Sequence, residues 1–365
     1  MKTRTLFIGA LWSAIIVPFS GAESRWDVGA EWVGSNDVDL LQLNANRRWE
    51  IPEKGWSGDL SLAANGFDLD YSSVAFDLFG QDRSISETSL AIQGLARHRV
   101  REDFEWTFSA GGYDGYTNFR SIWLAEYYRQ QFADRASTAG DDYLVPNPRG
   151  GGLGVGFRWE YVRASAFLEI TVSGRRDQVA PGYEIDFSGL IRGRTYLNGS
   201  SLVIASENLL SARVRSRFEL SASRVSERDW RYNGQWSLNT AVGERGVLRW
   251  FVGGATENPQ FESWYTGGLW DWELNDQWSV FAEGRYYEDN GEIENALLFT
   301  SAAPSLKSTQ ASVGMRWTND SSVWRVKVGR SRGDYDSPDP RLDFFQNLYA
   351  DRHWTLVQLS YSHSF

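Results

Sequence analysis

Cysteine is absent from the 365 residues, histidine occurs three times and methionine twice. Without thiols there is no disulfide framework, no thiolate metal site and no cysteine for a lipid anchor. Three histidines are too few for a structural zinc cluster, so neither a metal nor any other cofactor is expected. Long apolar runs are missing too: beyond Phe19 none approaches the roughly 20 residues of a spanning helix. Positive charge is in deficit, 37 basic against 47 acidic residues for a net of −10, which argues against nucleic acid as a partner because phosphates need a basic face.

The opening residues have a different character. Lys2 and Arg4 precede an apolar run from Leu6 to Phe19, and Ser20-Gly21-Ala22 places small residues before a cleavage point. This is the layout of a secretory signal, so residues 1–22 are expected to be removed and residues 23–365 to form one domain. Loss of Lys2 and Arg4 takes the formal charge from −10 to −12. The mean hydropathy of −0.44 would mark a soluble protein by a helix-based test. That test is blind to strands whose two faces meet different solvents, because their hydropathies cancel.

Such strands are what the chain is rich in. Phe104, Trp106, Phe108 and Ala110 alternate with Glu105, Thr107, Ser109 and Gly111. Leu153, Val155, Phe157 and Trp159 alternate with Gly154, Gly156, Arg158 and Glu160. The same period of two returns in Trp278, Val280 and Ala282 and in Trp324, Val326 and Val328. Helical spacing would separate like faces by three or four residues. Connections sort into short turns, such as 101–103, 162–163, 243–246, 275–276 and 318–321, and long polar stretches at about 66–86, 114–151, 174–206, 287–307 and 331–353. Many of the 18 tryptophans sit beside the short turns, among them Trp49, Trp56, Trp106, Trp159, Trp272, Trp278, Trp317 and Trp324. Indole has an apolar body and one N–H donor, so this distribution suits a girdle at a membrane–water boundary.

The chain stops in mid-strand, with Thr355, Val357, Leu359, Tyr361, His363 and Phe365 on one face. In this it resembles the bacterial outer-membrane β-barrel superfamily, whose last strand commonly ends in Phe preceded by aromatic or apolar residues at every second position. His363 departs from the usual aromatic. The resemblance implies insertion by the barrel-assembly machinery, with Tyr361 and Phe365 as the signal, and residence in the outer membrane of a Gram-negative bacterium among lipid and lipopolysaccharide. Barrels of this kind are often homo-oligomers, but no interface is legible here. The expected fold is all-β: a transmembrane, antiparallel, up-and-down barrel of about sixteen strands, with fourteen to eighteen allowed, short periplasmic turns and long extracellular loops. The least clear stretch is 183–225, where strands are placed at 207–216 and 217–225.

Function must then lie in the lumen or the loops. The inward parity collects Gln93, Arg97, Arg99, Glu105, Arg158, Glu160, Glu169, Arg213, Arg215, Arg217, Arg249, Asp271, Glu273, Glu283, Arg285, Arg316, Arg325 and Lys327. Charge of this density suits a water-filled lumen, or else a plug of paired charges. Arg213, Arg215 and Arg217 read as one row that either sets anion preference or faces neighbouring acids. Within 114–151, Arg120, Glu126 and Arg129 belong to a helix-compatible segment that either folds inward as a constriction or caps the outside. Loop acids such as Asp68, Asp70, Asp334 and Asp336 suit divalent ions bridging lipopolysaccharide or a merely solvated surface. No enzyme is expected: His98 and His363 fall on the lipid parity, and His353 is placed in a loop beside Arg352. The expected function is a porin-like passive channel for small hydrophilic solutes. The alternatives are an export or uptake barrel for a polymer or partner complex, and a surface adhesin or structural barrel.

Overall fold

The computed structural model of the chain describes residues 23–73, 81–115, 148–179, 185–186, 189–190, 195–226, 229–257, 261–291, 305–336 and 351–365. Sixteen antiparallel strands close into one barrel. In chain order they are β1 (Glu23–Gly34), β2 (Val38–Ile51), β3 (Trp56–Ser73), β4 (Gln81–Arg101), β5 (Phe104–Asp114), β6 (Arg149–Val162), β7 (Ala166–Val179) and β8 (Thr195–Ser211). Then follow β9 (Val214–Val225), β10 (Arg231–Val242), β11 (Gly246–Glu257), β12 (Phe261–Glu273), β13 (Trp278–Asp289), β14 (Ser305–Thr318), β15 (Ser322–Asp336) and β16 (Arg352–Ser364). A two-residue hairpin, Ile185–Asp186 with Gly189–Leu190, stands outside the ring.

Closure is made by β1 on β16, from Asp27 opposite Ser364 to Gly34 opposite Val357. The last residue completes the seam: the Phe365 amide donates to the Trp26 carbonyl at 2.8 Å. No edge is left open, which is the condition for placing strands in a solvent without hydrogen-bond partners. Among the described residues no helix is long and apolar enough to cross a membrane, and the strands supply the crossing.

The register sorts side chains into two faces. One row across the ladder runs Val280, Met315, Val326, Leu359, Trp32 and Leu41, one residue from each of six adjacent strands. These are outward residues: Met315 is 48% and Val326 47% exposed, in a ring whose other face carries the ion pairs. The preceding row, toward the short turns, is Trp278, Trp317, Trp324 and Tyr361, with Trp324 and Tyr361 rings 4.5 Å apart. An apolar band rimmed by aromatic residues on the outside of a closed ring is the surface of an outer-membrane barrel.

Several sequence expectations are corrected. The strands are 11 to 21 residues long, beyond the roughly 9–11 that cross hydrocarbon. They continue past the apolar band, where the pattern of apolar residues facing out lapses; on β3 it reverses, with Phe67 and Leu69 buried on the inner parity and Asp68 and Asp70 on the outer. Hence β3, β4, β8 and β15 reach into stretches read as loops. The turn after β8 lies at 212–213, not between 216 and 217. Arg213 therefore sits in a turn, while Arg215 and Arg217 belong to β9. Pairing of Glu207 with Arg217 and of Leu209 with Arg215 forces this placement, and a bulge at Leu209 and Ser211 blurs the alternation that would have shown it. His353 lies on β16 rather than in a loop. At the end away from the chain termini the connections are mixed: 35–37, 226–230 and 258–260 are short as well.

Candidate functional site: the inner face of the barrel

The inner face is lined by ion pairs whose partners come mostly from neighbouring strands. On β13–β15, Glu283 accepts from Lys327 Nζ at 2.6 Å and from the Ser312 hydroxyl at 2.8 Å, with an Arg325 nitrogen 3.4 Å away. The Arg325 guanidinium also lies 4.0 Å over the Phe281 ring. Arg316 reaches Asp271 at 3.1 Å. On β8–β9, Glu207 stands 3.1 Å from Arg215 and 3.9 Å from Arg217, and Arg217 donates to Glu219 at 2.9 Å. On β2–β4, Asp59 lies between Arg97 at 2.7 Å and Arg48 at 3.3 Å. Each long basic side chain thereby lies along the wall toward an acid instead of across the lumen.

Of the residues singled out from the sequence, Gln93, Arg97, Glu105, Arg158, Glu169, Arg215, Arg217, Arg249, Asp271, Glu283, Arg285, Arg316, Arg325 and Lys327 lie on strands and share this face by register. Arg99, Glu160 and Glu273 hold its turn end, where Arg99 is 4.0 Å from Glu105 and Arg158 is 3.8 Å from Glu160. Arg213 is not part of it. Arg120, Glu126 and Arg129 lie outside the described residues, as do residues 1–22. Trp49, Trp56, Trp106, Trp159, Trp272, Trp278, Trp317 and Trp324 share the outer face, together with Trp26, which sequence reading passed over. Tyr361 and Phe365 are outward at the seam, and Phe365 is 72% exposed. Asp59, Glu207, Glu219 and Asp177 were also missed on the inner face, although their parity relative to an arginine on the same or next strand would have found them.

Two arginines stand apart. Arg249 on β11 and Arg285 on β13 are inward and exposed, and neither has an acidic partner among the described residues. Arg285 only faces the Tyr265 ring, at 6.0 Å. Inward aromatic rings near them lie flat: Tyr265 covers Gly253 and Phe251 covers Gly267, so that a Cβ there would come within 2.6 and 2.5 Å of a ring. Flattened rings leave space above the wall that upright ones would fill. On the other side of the ring, Thr107, Ser109, Gly154, Gly156, Thr171 and Ser173 make a wall of small residues across β5–β7. Among the described residues no group of acidic or histidine side chains is arranged to hold a metal ion.

Comparison with solved structures agrees with this architecture. The chain is similar in fold to CdiB from Acinetobacter baumannii, with a TM-score of 0.57 and 8% identity over 94% of this chain and 60% of that one. CdiB from Escherichia coli gives 0.53 and 11% over 96% of this chain and 64% of that one. The chain thus spans less than two thirds of either. A monoaromatic hydrocarbon channel, the TodX deltaS2S3 mutant, gives 0.47 and 11% over 93% of this chain and 90% of that one. No protein-family model and no curated protein matches the sequence. The fold is that of a Gram-negative outer-membrane β-barrel, and identities this low show the fold alone.

Proposed function

We propose that the protein is a passive channel for small hydrophilic solutes. The observation that carries this reading is the pair Arg249 and Arg285, inward, exposed and without acidic partners. Unpaired guanidinium groups are stable on an inner face only where water reaches them. Flattened rings on one wall and small side chains on another agree with an open lumen, and a ring of sixteen strands is wide enough for an aqueous path. In this reading Arg97, Glu105, Arg158, Glu169, Glu283 and Lys327 line the path, and the terminal strand through Phe365 addresses the chain to its insertion machinery. Planar-bilayer recording of the purified barrel tests the proposal. We expect stepwise, voltage-independent conductance that scales with bulk electrolyte. A barrel that inserts and stays silent would overturn the channel, and would favour a role in carrying a polymer or docking a partner.

A further inference from the structure

On the outer face, the aromatic rim gives way at β14–β16. One register row reads Tyr286, Thr309, Arg332 and His353, and the next row toward the membrane reads Gly284, Ala311, Arg330 and Thr355. On β13 this level is Tyr286, whose ring lies 4.8 Å from that of Trp264, one row further out on β12. On β14–β16 the aromatics are replaced by small residues and cations. The result is an open groove of about 650 Å³ lined by Thr309, Ala311, Arg330, Arg332, His353 and Thr355, with Ser331 and Trp354 behind.

Depth makes this arrangement unusual. Arg330 follows Trp324, Val326 and Val328 on the same face of β15. At about 3.3 Å per residue and a tilt near 40°, its Cα stands roughly 15 Å above the Trp324 rim, inside the approximately 25 Å apolar band of such barrels. Arg332, one row further out, is neutralised by Asp334 at 2.7 Å. Arg330 has no hydrogen bond or ion pair among the described residues, and it is exposed. A guanidinium facing lipid without a counter-charge calls for an anion from the lipid itself.

We infer that this groove binds a phosphate group of an outer-leaflet glycolipid, held by Arg330 and flanked by His353 and Arg332. The planar N–H fork of a guanidinium matches two phosphate oxygens. The Thr309 and Thr355 hydroxyls can donate to the rest, and the small Ala311 leaves room for the headgroup. Sugar hydroxyls would meet the same polar side chains, while acyl chains would run down Val326, Val328 and Val357. The site lies on the outer wall, so it is independent of whether the lumen conducts.

The test uses the full-length barrel in detergent micelles doped with bisphosphorylated lipid A, with bound lipid counted by native mass spectrometry. We expect Arg330→Ala to weaken binding at least tenfold and Arg330→Lys to weaken it less, because it keeps the charge and loses the fork. Thr355→Trp, which fills the groove and leaves the charges in place, should also abolish binding. Dephosphorylated lipid A should bind at least tenfold more weakly than the phosphorylated form, and millimolar inorganic phosphate should not displace the lipid. Heat-modifiable migration on gels shows that each variant is folded, and bilayer conductance should be unchanged in all of them. Equal binding by Arg330→Ala, equal binding of dephosphorylated lipid A, or displacement by inorganic phosphate would each overturn the proposal. The last would mark a general anion site.

Discussion

Two stretches of the inner wall are built on opposite plans. From β5 to β7 the middle of the inward face is Thr107, Ser109, Gly154, Gly156, Thr171 and Ser173, small and uncharged, with Glu105, Arg158 and Glu169 toward the turn end. From β11 to β15 they include Arg249, Phe251, Tyr265, Glu283, Arg285, Arg316, Arg325 and Lys327. Both walls have the same backbone ladder and the same apolar outer face, so the difference is confined to what meets the lumen. In the proposed channel the small wall would set how wide the path is, and the charged wall which solutes prefer it. On the small wall, Gly156 has no room for a side chain: a Cβ would approach the Thr107 hydroxyl to 2.8 Å and the Thr171 hydroxyl to 2.6 Å. On the charged wall the counter-charges are present, but they leave Arg249 and Arg285 over.

Breaking the charged wall should have the largest effect. Arg249→Glu combined with Arg285→Glu replaces two unpaired cations with two acids on that wall. Low-dielectric walls around a water-filled lumen focus field lines along it, so charge at its surface weighs heavily on permeant ions. We expect the reversal potential in a potassium chloride gradient to shift clearly toward cations, with single-channel conductance changed by less than about twofold because pore width is unaffected. A reversal potential unmoved by the double variant would remove these arginines from the ion path. The corresponding change on the small wall, Ser109→Glu, should shift selectivity less, because that wall already carries Glu169 on β7 without a partner among the described residues.

Much of this contrast was legible in the sequence. Trp278, Val280 and Ala282, or Trp324, Val326 and Val328, can only be strands with one apolar face, and the charges between them must face the other way. Sixteen strands follow from such segments, as does the inward set from Arg97 to Lys327. Two things resisted. Where strands leave the apolar band the pattern of apolar residues facing out lapses, as on β3, where Phe67 and Leu69 take the inner parity and Asp68 and Asp70 the outer. The bulge at Leu209 and Ser211 hid the turn at 212–213 in the same way, and Arg213 was put on a strand. Partnership between strands was equally hidden: that Asp59 answers Arg97 while Arg249 goes unanswered depends on register, which a one-residue slip would invert.

A smaller effect sharpens the comparison through stability. Glu283→Ala leaves Lys327, whose side chain is only 14% exposed, without its acceptor at 2.6 Å, and strands the Ser312 hydroxyl as well. Removing one member of a wholly buried pair costs about 3–5 kcal/mol, and contact with lumen water should reduce this to about 2 kcal/mol. Urea titration of the barrel in detergent reads the change as a lower midpoint. Lys327→Met in the same background should recover part of the loss, because it withdraws the orphaned charge along with its hole. A midpoint unchanged in Glu283→Ala would mean that the network is a solvated surface contributing little.

The smallest effect belongs to the small wall, and for that reason it discriminates well. Ser173 and Ser201 share a hydrogen bond of 2.7 Å between their hydroxyls across β7 and β8. Removing both partners at once leaves neither stranded, so Ser173→Ala with Ser201→Ala should change stability by less than about 1 kcal/mol. Selectivity should stay where it is, since no charge is altered, and conductance should rise slightly or not at all as two oxygens leave the wall. If the double variant instead moved the reversal potential as far as the arginine pair does, ions would be passing against β7 and β8. The division between a wall that sets width and a wall that sets preference would then fail, even with the barrel intact.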